Sequence, residues 1–202
     1  MLHPAALDKL RRERLVVIDD VVSPDVINRA AAELAGMQQQ GFLVCPIDDL
    51  CAPRTQRHNL LLRGGTLGEA QRAAVPALAQ CVEALCNVPE LLERELGLGL
   101  RVPQTVMVTA MPPGAAYREH LDGNGTDNPR LVTVLLYLSY DPPRGGALRV
   151  KMADGPRDIY PNPGRAVVFM AQELKHEVLA SEGERLAMTL WIWQTAPDGI
   201  GR

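Results

Sequence analysis

The chain has 202 residues, of which 47% are hydrophobic, and a formal net charge of −3. A nearly balanced charge argues against general affinity for nucleic acid or for an anionic membrane surface. No apolar run approaches the roughly 18 residues of a membrane span, and the N-terminus lacks the pattern of a secretory signal. We therefore expect one soluble, cytoplasmic domain over residues 1–202 that acts on small molecules or proteins, with its oligomeric state undetermined.

Helical periodicity dominates the first hundred residues. Apolar residues at helical spacing predict helices over 4–13, 24–39, 69–85 and 89–96. Short apolar runs predict strands at 15–18 and 59–63, and the stretch between 41 and 65 is otherwise irregular. The four cysteines show no C-x-x-C spacing and are expected to be reduced thiols, mostly packed: Cys45, Cys51, Cys81 and Cys86.

From residue 102 onward, short apolar runs alternate with turns rich in glycine and proline. The predicted strands are 105–110, 131–140, 147–152, 166–170, 176–180 and 186–193. Many short strands at this spacing are typical of a sandwich or a jelly roll. The pattern therefore predicts an α+β fold, with a jelly-roll core over 101–195 and helices of the first hundred residues packed on one outer face.

A candidate metal site begins in the segment Tyr117-Arg118-Glu119-His120-Leu121-Asp122. On an extended segment His120 and Asp122 lie on the same side of the chain, where both can reach one ion. His176, at the start of a later apolar run, would supply a third ligand. Two histidines and one carboxylate on one face of an octahedron are typical of non-haem Fe(II) oxygenases. A zinc enzyme could use the same ligands, and short H-x-D matches also arise by chance.

Arg185 opens the last predicted strand, nine residues after His176. If the two residues lie on adjacent antiparallel strands, the guanidinium projects into the barrel interior, deeper than the metal. A buried arginine needs a carboxylate, and a ligand carboxylate is the economical candidate. Tyr137 could add a hydrogen bond to the same group. The alternatives are a surface arginine paired with Glu182 or Glu184, and a core tyrosine with another partner.

Residues 107–194 resemble the 2-oxoglutarate and Fe(II)-dependent prolyl 4-hydroxylases, and most of all the hypoxia-inducible-factor prolyl hydroxylase group and its bacterial and protist relatives. The match runs in order along the chain through Tyr117-x-x-His120-x-Asp122, Arg130-Leu131-Val132-Thr133-x-Leu135-x-Tyr137-Leu138, Gly145-Gly146-Ala147-Leu148-Arg149, Pro163-Gly164-Arg165-Ala166-Val167-Val168-Phe169, His176-Glu177-Val178 and Arg185-x-Ala187-x-Thr189-x-Trp191. So many ordered matches over nearly ninety residues are highly specific for the superfamily.

The resemblance implies a role for each of these residues. Fe(II) would be bound by His120, Asp122 and His176, and the distal carboxylate of 2-oxoglutarate by Arg185 and Tyr137. The implied pocket lining is Met107, Leu135, Leu148 and Thr189, although core packing is the alternative for the first three. Trp191 is implied to lie near the metal and Arg130 at the substrate rim. Dioxygen is the oxidant, with ascorbate as an optional addition.

Two departures from the resemblance concern the cosubstrate and the substrate. Where the hypoxia-type enzymes carry a tyrosine in a Tyr-Pro-Gly segment, this chain has Met111-Pro112-Pro113-Gly114 and one residue fewer, so we expect the loss of a hydrogen bond near the metal-binding end of the cosubstrate. Arg57-His58-Asn59 matches their Arg-x-Asp segment with asparagine in place of the carboxylate, which makes Arg57 a candidate substrate residue.

The resemblance implies hydroxylation of a C–H bond coupled to decarboxylation of 2-oxoglutarate to succinate. The leading target is C4 of a prolyl residue in a protein or peptide. The alternatives are a hydroxylase of a free amino acid or small metabolite, and a non-catalytic metal-binding jelly-roll protein. A non-catalytic protein predicts loss of a metal ligand or of Arg185, and all four residues are present.

Overall fold

Five helices and twelve strands occupy the residues described by the computed structural model, which are 2–45, 49–52, 58–63, 69–101, 105–138 and 144–195. The helices are α1 Pro4–Glu13, α2 Pro24–Gln39, α3 Glu69–Ala74, α4 Pro76–Cys86 and α5 Val88–Leu96. The strands are β1 Leu15–Ile18, β2 Cys51–Ala52, β3 His58–Arg63, β4 Leu100–Arg101, β5 Thr105–Met111, β6 Ala116–His120, β7 Arg130–Tyr137, β8 Leu148–Met152, β9 Gly155–Ile159, β10 Ala166–Met170, β11 His176–Val178 and β12 Arg185–Gln194.

The first two helices and β1 occupy their predicted ranges, because local signals specify both their starts and their buried faces. In α2, the side chain of Ser23 accepts a hydrogen bond from the backbone N–H of Val26, and Pro24 occupies the first turn. Residues of α2 at helical spacing, including Ile27 and Leu34, are fully buried. The predicted amphipathic pattern therefore determines how this helix packs.

The helix predicted over 69–85 is wrong as a single element, because it divides into α3 and α4 at Val75. Pro76 lacks a backbone N–H and disfavours helical geometry in the residue before it, and Val75 has φ −135° and ψ 63°. The new N-terminus is capped from α2, since the carboxylate of Glu33 accepts hydrogen bonds from the N–H groups of Ala77 at 3.1 Å and Leu78 at 2.8 Å.

The strands form two antiparallel sheets that face each other. The larger sheet has the order β1-β10-β7-β12-β5-β3, with β4 paired to β12, and the smaller has the order β2-β6-β11-β8-β9. The strands β10, β11 and β12 alternate between the sheets, as successive strands of a double-stranded β-helix do. The predicted jelly roll with helices on one face is confirmed.

The larger sheet separates two hydrophobic clusters. Every second residue of β7, namely Val132, Val134 and Leu136, packs in the cluster that includes the helices. The residues between them point to the space between the two sheets, where a second cluster includes Phe169 and Val150. The period-2 alternation of the strands thus builds three layers: helices, large sheet and small sheet.

Sequence patterns missed β2, β4 and β9. The last of these pairs with β8 in a hairpin, in which Met152 lies opposite Gly155 and residues 153 and 154 form the loop. Gly155 has a φ of 126°, a backbone conformation that suits glycine. The composition of β9, Gly-Pro-Arg-Asp-Ile, lacks apolar alternation, so periodicity did not reveal this strand. The predicted strand 131–140 ends at Tyr137, and residues 139–143 lie outside the described part of the chain.

All four cysteines are in the reduced thiol form, with Cys51 and Cys81 buried, Cys86 half-buried and Cys45 exposed. Burial raises the pKa of the Cys81 thiol to about 12, which keeps this group protonated and unreactive.

Among the described residues, no helix combines the length and the apolar character needed to cross a membrane. The single-domain organisation remains a prediction.

Candidate active site

The three predicted metal ligands meet at one side of the cavity between the sheets. His120 ends β6 and His176 begins β11, and the two residues are paired across these strands, with ring centroids 4.3 Å apart. Oδ1 of Asp122 lies 3.4 Å from Nε2 of His120, and Oδ2 lies 3.7 Å from Nε2 of His176. One ligand atom from each residue lies within 4.8 Å of the other two, a spacing at which a single ion can contact all three.

Backbone carbonyls orient both imidazoles. Nδ1 of His120 lies 2.9 Å from the carbonyl oxygen of Arg118, and Nδ1 of His176 lies 3.0 Å from that of Leu174. Because a carbonyl only accepts hydrogen bonds, Nδ1 carries the proton in each ring and Nε2 presents its lone pair to the cavity. This arrangement is the usual one for histidines that bind a metal through Nε2.

Asp122 lies beyond the strand on which the sequence placed it. β6 ends at His120, and Asp122 follows in a bend rather than on an extended segment. The bend needs Gly123, where a Cβ would lie 2.1 Å from the carbonyl oxygen of Arg130, and the side-chain amide of Asn128 donates to the carbonyl of Asp122 at 2.6 Å. Strand geometry therefore does not explain how the carboxylate reaches His120.

The protonation states match those of metal ligands. Burial would raise the pKa of Asp122, but the interactions with His120 and His176 and the hydrogen bond from Thr133 lower it to about 2. Burial also lowers the pKa of His176. At neutral pH the site therefore presents a carboxylate and a neutral imidazole, the forms that bind divalent metals.

Arg185 and Tyr137 carry buried hydrogen-bonding atoms that the described protein groups leave unpaired. Arg185 is 3% exposed, and its Nε donates to the carbonyl of Gly146 at 3.1 Å, whereas Nη2 has no partner among the described residues. The hydroxyl of the fully buried Tyr137 likewise has no partner there, and its ring centroid lies 5.0 Å from the guanidinium carbon. Burial raises the pKa of Tyr137 although the Arg185 guanidinium acts to lower it, so the hydroxyl stays protonated and can donate.

These unpaired donors fit a carboxylate ligand, because a buried cation and a buried hydroxyl each lose stability when unpaired. The alternative of a surface arginine does not hold, since Arg185 is buried and Glu182 lies 3.8 Å from Arg144 instead.

The metal ligands and the arginine lie on opposite walls of the cavity. The sequence left open that His176 and Arg185 lie on adjacent antiparallel strands, but β11 belongs to the smaller sheet and β12 to the larger one. The chain crosses between the sheets from β11 to β12, as expected of a jelly roll. A ligand held by both groups must therefore span the space between the sheets.

The cavity wall contains most of the predicted site residues. Met107, Leu135, Leu148, Thr189 and Trp191 line it, and Leu135 and Leu148 also belong to the core cluster between the sheets. Arg130 lies beside it, with its guanidinium carbon 4.0 Å from the ring centroid of Trp191. Arg57 lies outside the described residues. The individual roles of these residues remain predictions.

Several other residues line the cavity but were not assigned to it from the sequence, namely Thr109, Met111, Thr133, Phe169, Val178 and Ala187. Strand periodicity offered a signal for most of them, since Thr109 lies two residues from Met107, and Thr133 two residues from Leu135. Residues two apart on a strand face the same side. Met111 is buried, and its thioether offers no hydroxyl to the cavity.

Comparisons with known proteins agree with this geometry. Residues 106–193 match the model of the 2OG-Fe(II) oxygenase superfamily. A prolyl-4-hydroxylase from Pseudomonas putida shares 30% sequence identity, with a TM-score of 0.81 over 97% of this chain and 100% of that chain. No curated protein sequence matches the chain.

Two more distant structures show the same fold. A prolyl hydroxylase from Trichoplax adhaerens, in complex with a peptide fragment of the hypoxia-inducible-factor oxygen degradation domain, has a TM-score of 0.75 and 22% identity over 94% of this chain and 87% of that chain. An α-ketoglutarate-dependent carbocyclase of nogalamycin biosynthesis has a TM-score of 0.68 and 16% identity over 96% and 84%. The fold thus supports more than one reaction.

Proposed function

This chain belongs to the 2OG-Fe(II) oxygenase superfamily, and from that membership we propose that it hydroxylates C4 of a prolyl residue in a protein or peptide. As a 2-oxoglutarate-dependent dioxygenase, it uses Fe(II), 2-oxoglutarate and dioxygen. The observation that carries the prolyl assignment is the 30% identity to the Pseudomonas putida prolyl-4-hydroxylase along the full length of that chain. The Trichoplax relative, which is bound to a peptide, motivates a peptide target.

The residues present fit both the metal and the cosubstrate. His120, Asp122 and His176 would hold Fe(II), since a set of two histidines and one carboxylate leaves coordination positions open. Arg185 and Tyr137 would hold the distal carboxylate of 2-oxoglutarate, which pairs their free donors. Bound at these residues, Fe(II) would supply the oxidation of a C–H bond by dioxygen, coupled to conversion of 2-oxoglutarate to succinate and carbon dioxide.

The protein's own contribution is orientation, charge and exclusion of water. The carbonyls of Arg118 and Leu174 keep both Nε2 lone pairs directed into the cavity. Apolar side chains such as Leu135 and Phe169 cover the wall between the two ends of the site. An apolar wall strengthens the attraction between the guanidinium and its carboxylate, because water competes less for either charge.

Trp191 and Arg130 are the substrate residues of the proposal. The indole lines the cavity and stacks with the guanidinium of Arg130. A flat aromatic surface suits a pyrrolidine ring, and a guanidinium can donate to the carbonyl groups of a peptide. These two side chains therefore offer an apolar and a polar contact side by side.

The proposal is tested with purified protein, Fe(II), ascorbate, dioxygen and 2-oxoglutarate, with proline-containing peptides or free L-proline. We expect a peptide to accelerate 2-oxoglutarate consumption and to gain one hydroxyl on proline, detected by mass spectrometry. His176→Ala should abolish both, whereas His3→Asn, at the N-cap of α1, should leave both unchanged. Hydroxylation of free proline but of no peptide would favour the small-molecule alternative, and no consumption with any substrate would contradict the proposal.

A further inference from the structure

Thr133 makes a buried hydrogen bond to a proposed metal ligand from the opposite sheet. It is 1% exposed, lies on β7 of the larger sheet and lines the cavity. Its Oγ1 donates to Oδ2 of Asp122 at 2.7 Å. The two histidines of the site belong to the smaller sheet, so this contact joins the larger sheet to the ligand set.

Asp122 needs such a contact because no regular element orients it. It lies in the bend that follows β6, where the backbone is held by the bond from Asn128 and by the N–H of Gly123, which donates to the carbonyl of Ala171 at 3.1 Å. These bonds fix the main chain but leave rotation of the carboxylate about its side-chain bonds open. The hydroxyl of Thr133 restricts that rotation.

We propose that Thr133 is a positioning residue that fixes the Asp122 carboxylate for metal binding and, through β7, sets its distance from the cosubstrate anchor. This inference rests on the ligand set proposed above. Because Oδ2 already accepts a hydrogen bond from Thr133, the carboxylate is directed to bind the metal through one oxygen. Binding through a single oxygen keeps coordination positions free for a chelating keto acid and for dioxygen.

The same strand carries the cosubstrate anchor. Tyr137 lies four residues after Thr133 on β7, so both side chains are on the same face of the strand, where Thr133 lines the cavity and Tyr137 packs in the cluster between the sheets. Their Cα atoms are therefore roughly 13 Å apart, at about 3.3 Å per residue of an extended strand. Thr133, which contacts Asp122, and Tyr137, which would contact the cosubstrate, lie on the same strand. The distance that a keto diacid must bridge is therefore set by β7 rather than by the loop that carries Asp122.

The test compares metal affinity in variants that differ by one hydroxyl. Mn²⁺ is titrated calorimetrically into the metal-free full chain, for the wild type, Thr133→Val and Thr133→Ser. Loss of the hydroxyl in Thr133→Val should weaken Mn²⁺ binding by about 10- to 100-fold. Thr133→Ser keeps a hydroxyl and should bind Mn²⁺ nearly as tightly as the wild type.

A matched control removes another buried hydroxyl from the same cavity. Thr109 is 5% exposed and lines the cavity, and its Oγ1 has no partner among the described residues. Thr109→Val should therefore leave Mn²⁺ affinity unchanged. If Thr133→Val does not fold, as judged by thermal unfolding, Thr133→Ser and Thr133→Ala give the same comparison of hydroxyl against no hydroxyl.

Wild-type Mn²⁺ affinity in Thr133→Val, or an equal loss in Thr133→Ser, would overturn the proposal, because either result means that the hydroxyl does not act on the metal site. The titration needs no substrate. The result of the titration therefore stands even if the protein fails to hydroxylate proline. Conversely, a wild-type Mn²⁺ affinity in Thr133→Val leaves the prolyl assignment unaffected.

Discussion

At the scale of single residues, the site is marked by polar atoms that the protein does not satisfy itself. Most buried polar groups in folded proteins have hydrogen-bond partners, so each exception calls for an explanation. The hydroxyl of Tyr137 and Nη2 of Arg185 are both such exceptions among the described residues, and they lie at the same end of the cavity. A dicarboxylate cosubstrate explains both at once.

This explanation predicts opposite effects of Tyr137→Phe on stability and on binding. Without ligand, the change removes a buried, unpaired hydroxyl, so the free energy of unfolding should stay the same or rise. With 2-oxoglutarate, it removes a hydrogen bond of about 1 kcal/mol, so the dissociation constant should rise by roughly fivefold. Urea unfolding of the metal-free protein and titration of 2-oxoglutarate into the Mn²⁺ form measure the two effects.

Tyr160→Phe is the matched control, since Tyr160 is 52% exposed and does not line the cavity. Neither quantity should change in this variant. A clear loss of stability in Tyr137→Phe without ligand would show that the hydroxyl has a partner within the protein, contrary to this explanation.

The residues proposed to carry the chemistry could be picked out from the sequence, whereas the residue proposed to position them could not. His120, His176 and Arg185 stood out because histidines are few and a charged residue opens an apolar strand. Thr133 gave no such signal, because a threonine on a strand usually reports β propensity. Its proposed role depends on the bend at Asp122, which is held by contacts between segments far apart in the chain.

At the scale of elements, a side chain from one helix caps the N-terminus of another. α4 has no side-chain cap of its own, and Glu33 on α2 supplies the acceptors for its first N–H groups. Periodicity predicted α2 well, but it also joined α3 to α4, since apolar residues continue past Pro76. A proline signals a break locally, yet whether the new helix end is stable depends on a neighbour that periodicity does not reveal.

Glu33→Ala should lower the free energy of unfolding by about 1 to 2 kcal/mol, because two N–H groups at the start of α4 lose their acceptors. Urea unfolding measures the change. Glu184→Ala, which removes an exposed carboxylate from a loop, is the control and should cost no more than a few tenths of a kcal/mol. Equal stability of the two variants would mean that Glu33 is not a structural cap.

A second link between elements predicts a pH effect. Arg165, just before β10, binds both carboxylate oxygens of Asp19, just after β1, at 2.6 and 3.2 Å. The hydrogen bond from Arg165 lowers the pKa of Asp19 below its ordinary value of 3.8. A lowered pKa in the folded state gives stability that is present above pH 3.8 and is lost as pH falls through the lowered value.

Asp19→Asn should therefore destabilise the protein at neutral pH by no more than about 1 kcal/mol, since Asp19 is half-exposed. The difference from the wild type should shrink as the pH falls below 3.8. Chemical unfolding at a series of pH values measures it, with the exposed hairpin residue Asp154 as the site of a control substitution, Asp154→Asn. A difference that stays constant with pH would contradict the ionic origin of the effect.

At the scale of the whole molecule, each of the two sheets carries a different part of the proposed site. The smaller sheet carries His120 and His176, and the larger sheet carries Arg185 and Tyr137, with helices supporting its other face. The jelly-roll class could be predicted because many short strands alternate with turns. The assignment of strands to sheets could not, because pairing depends on long-range register that local patterns do not contain.

The central claim is that one cavity couples oxidation of 2-oxoglutarate to hydroxylation of a prolyl residue. It is tested most directly by a reaction under isotopically labelled dioxygen with a proline-containing peptide that the enzyme accepts. We expect one labelled oxygen atom in succinate and the other in the hydroxyl group on proline, with the two products formed in equal amounts. Succinate formed without label, or a hydroxyproline whose oxygen comes from water, would contradict the claim.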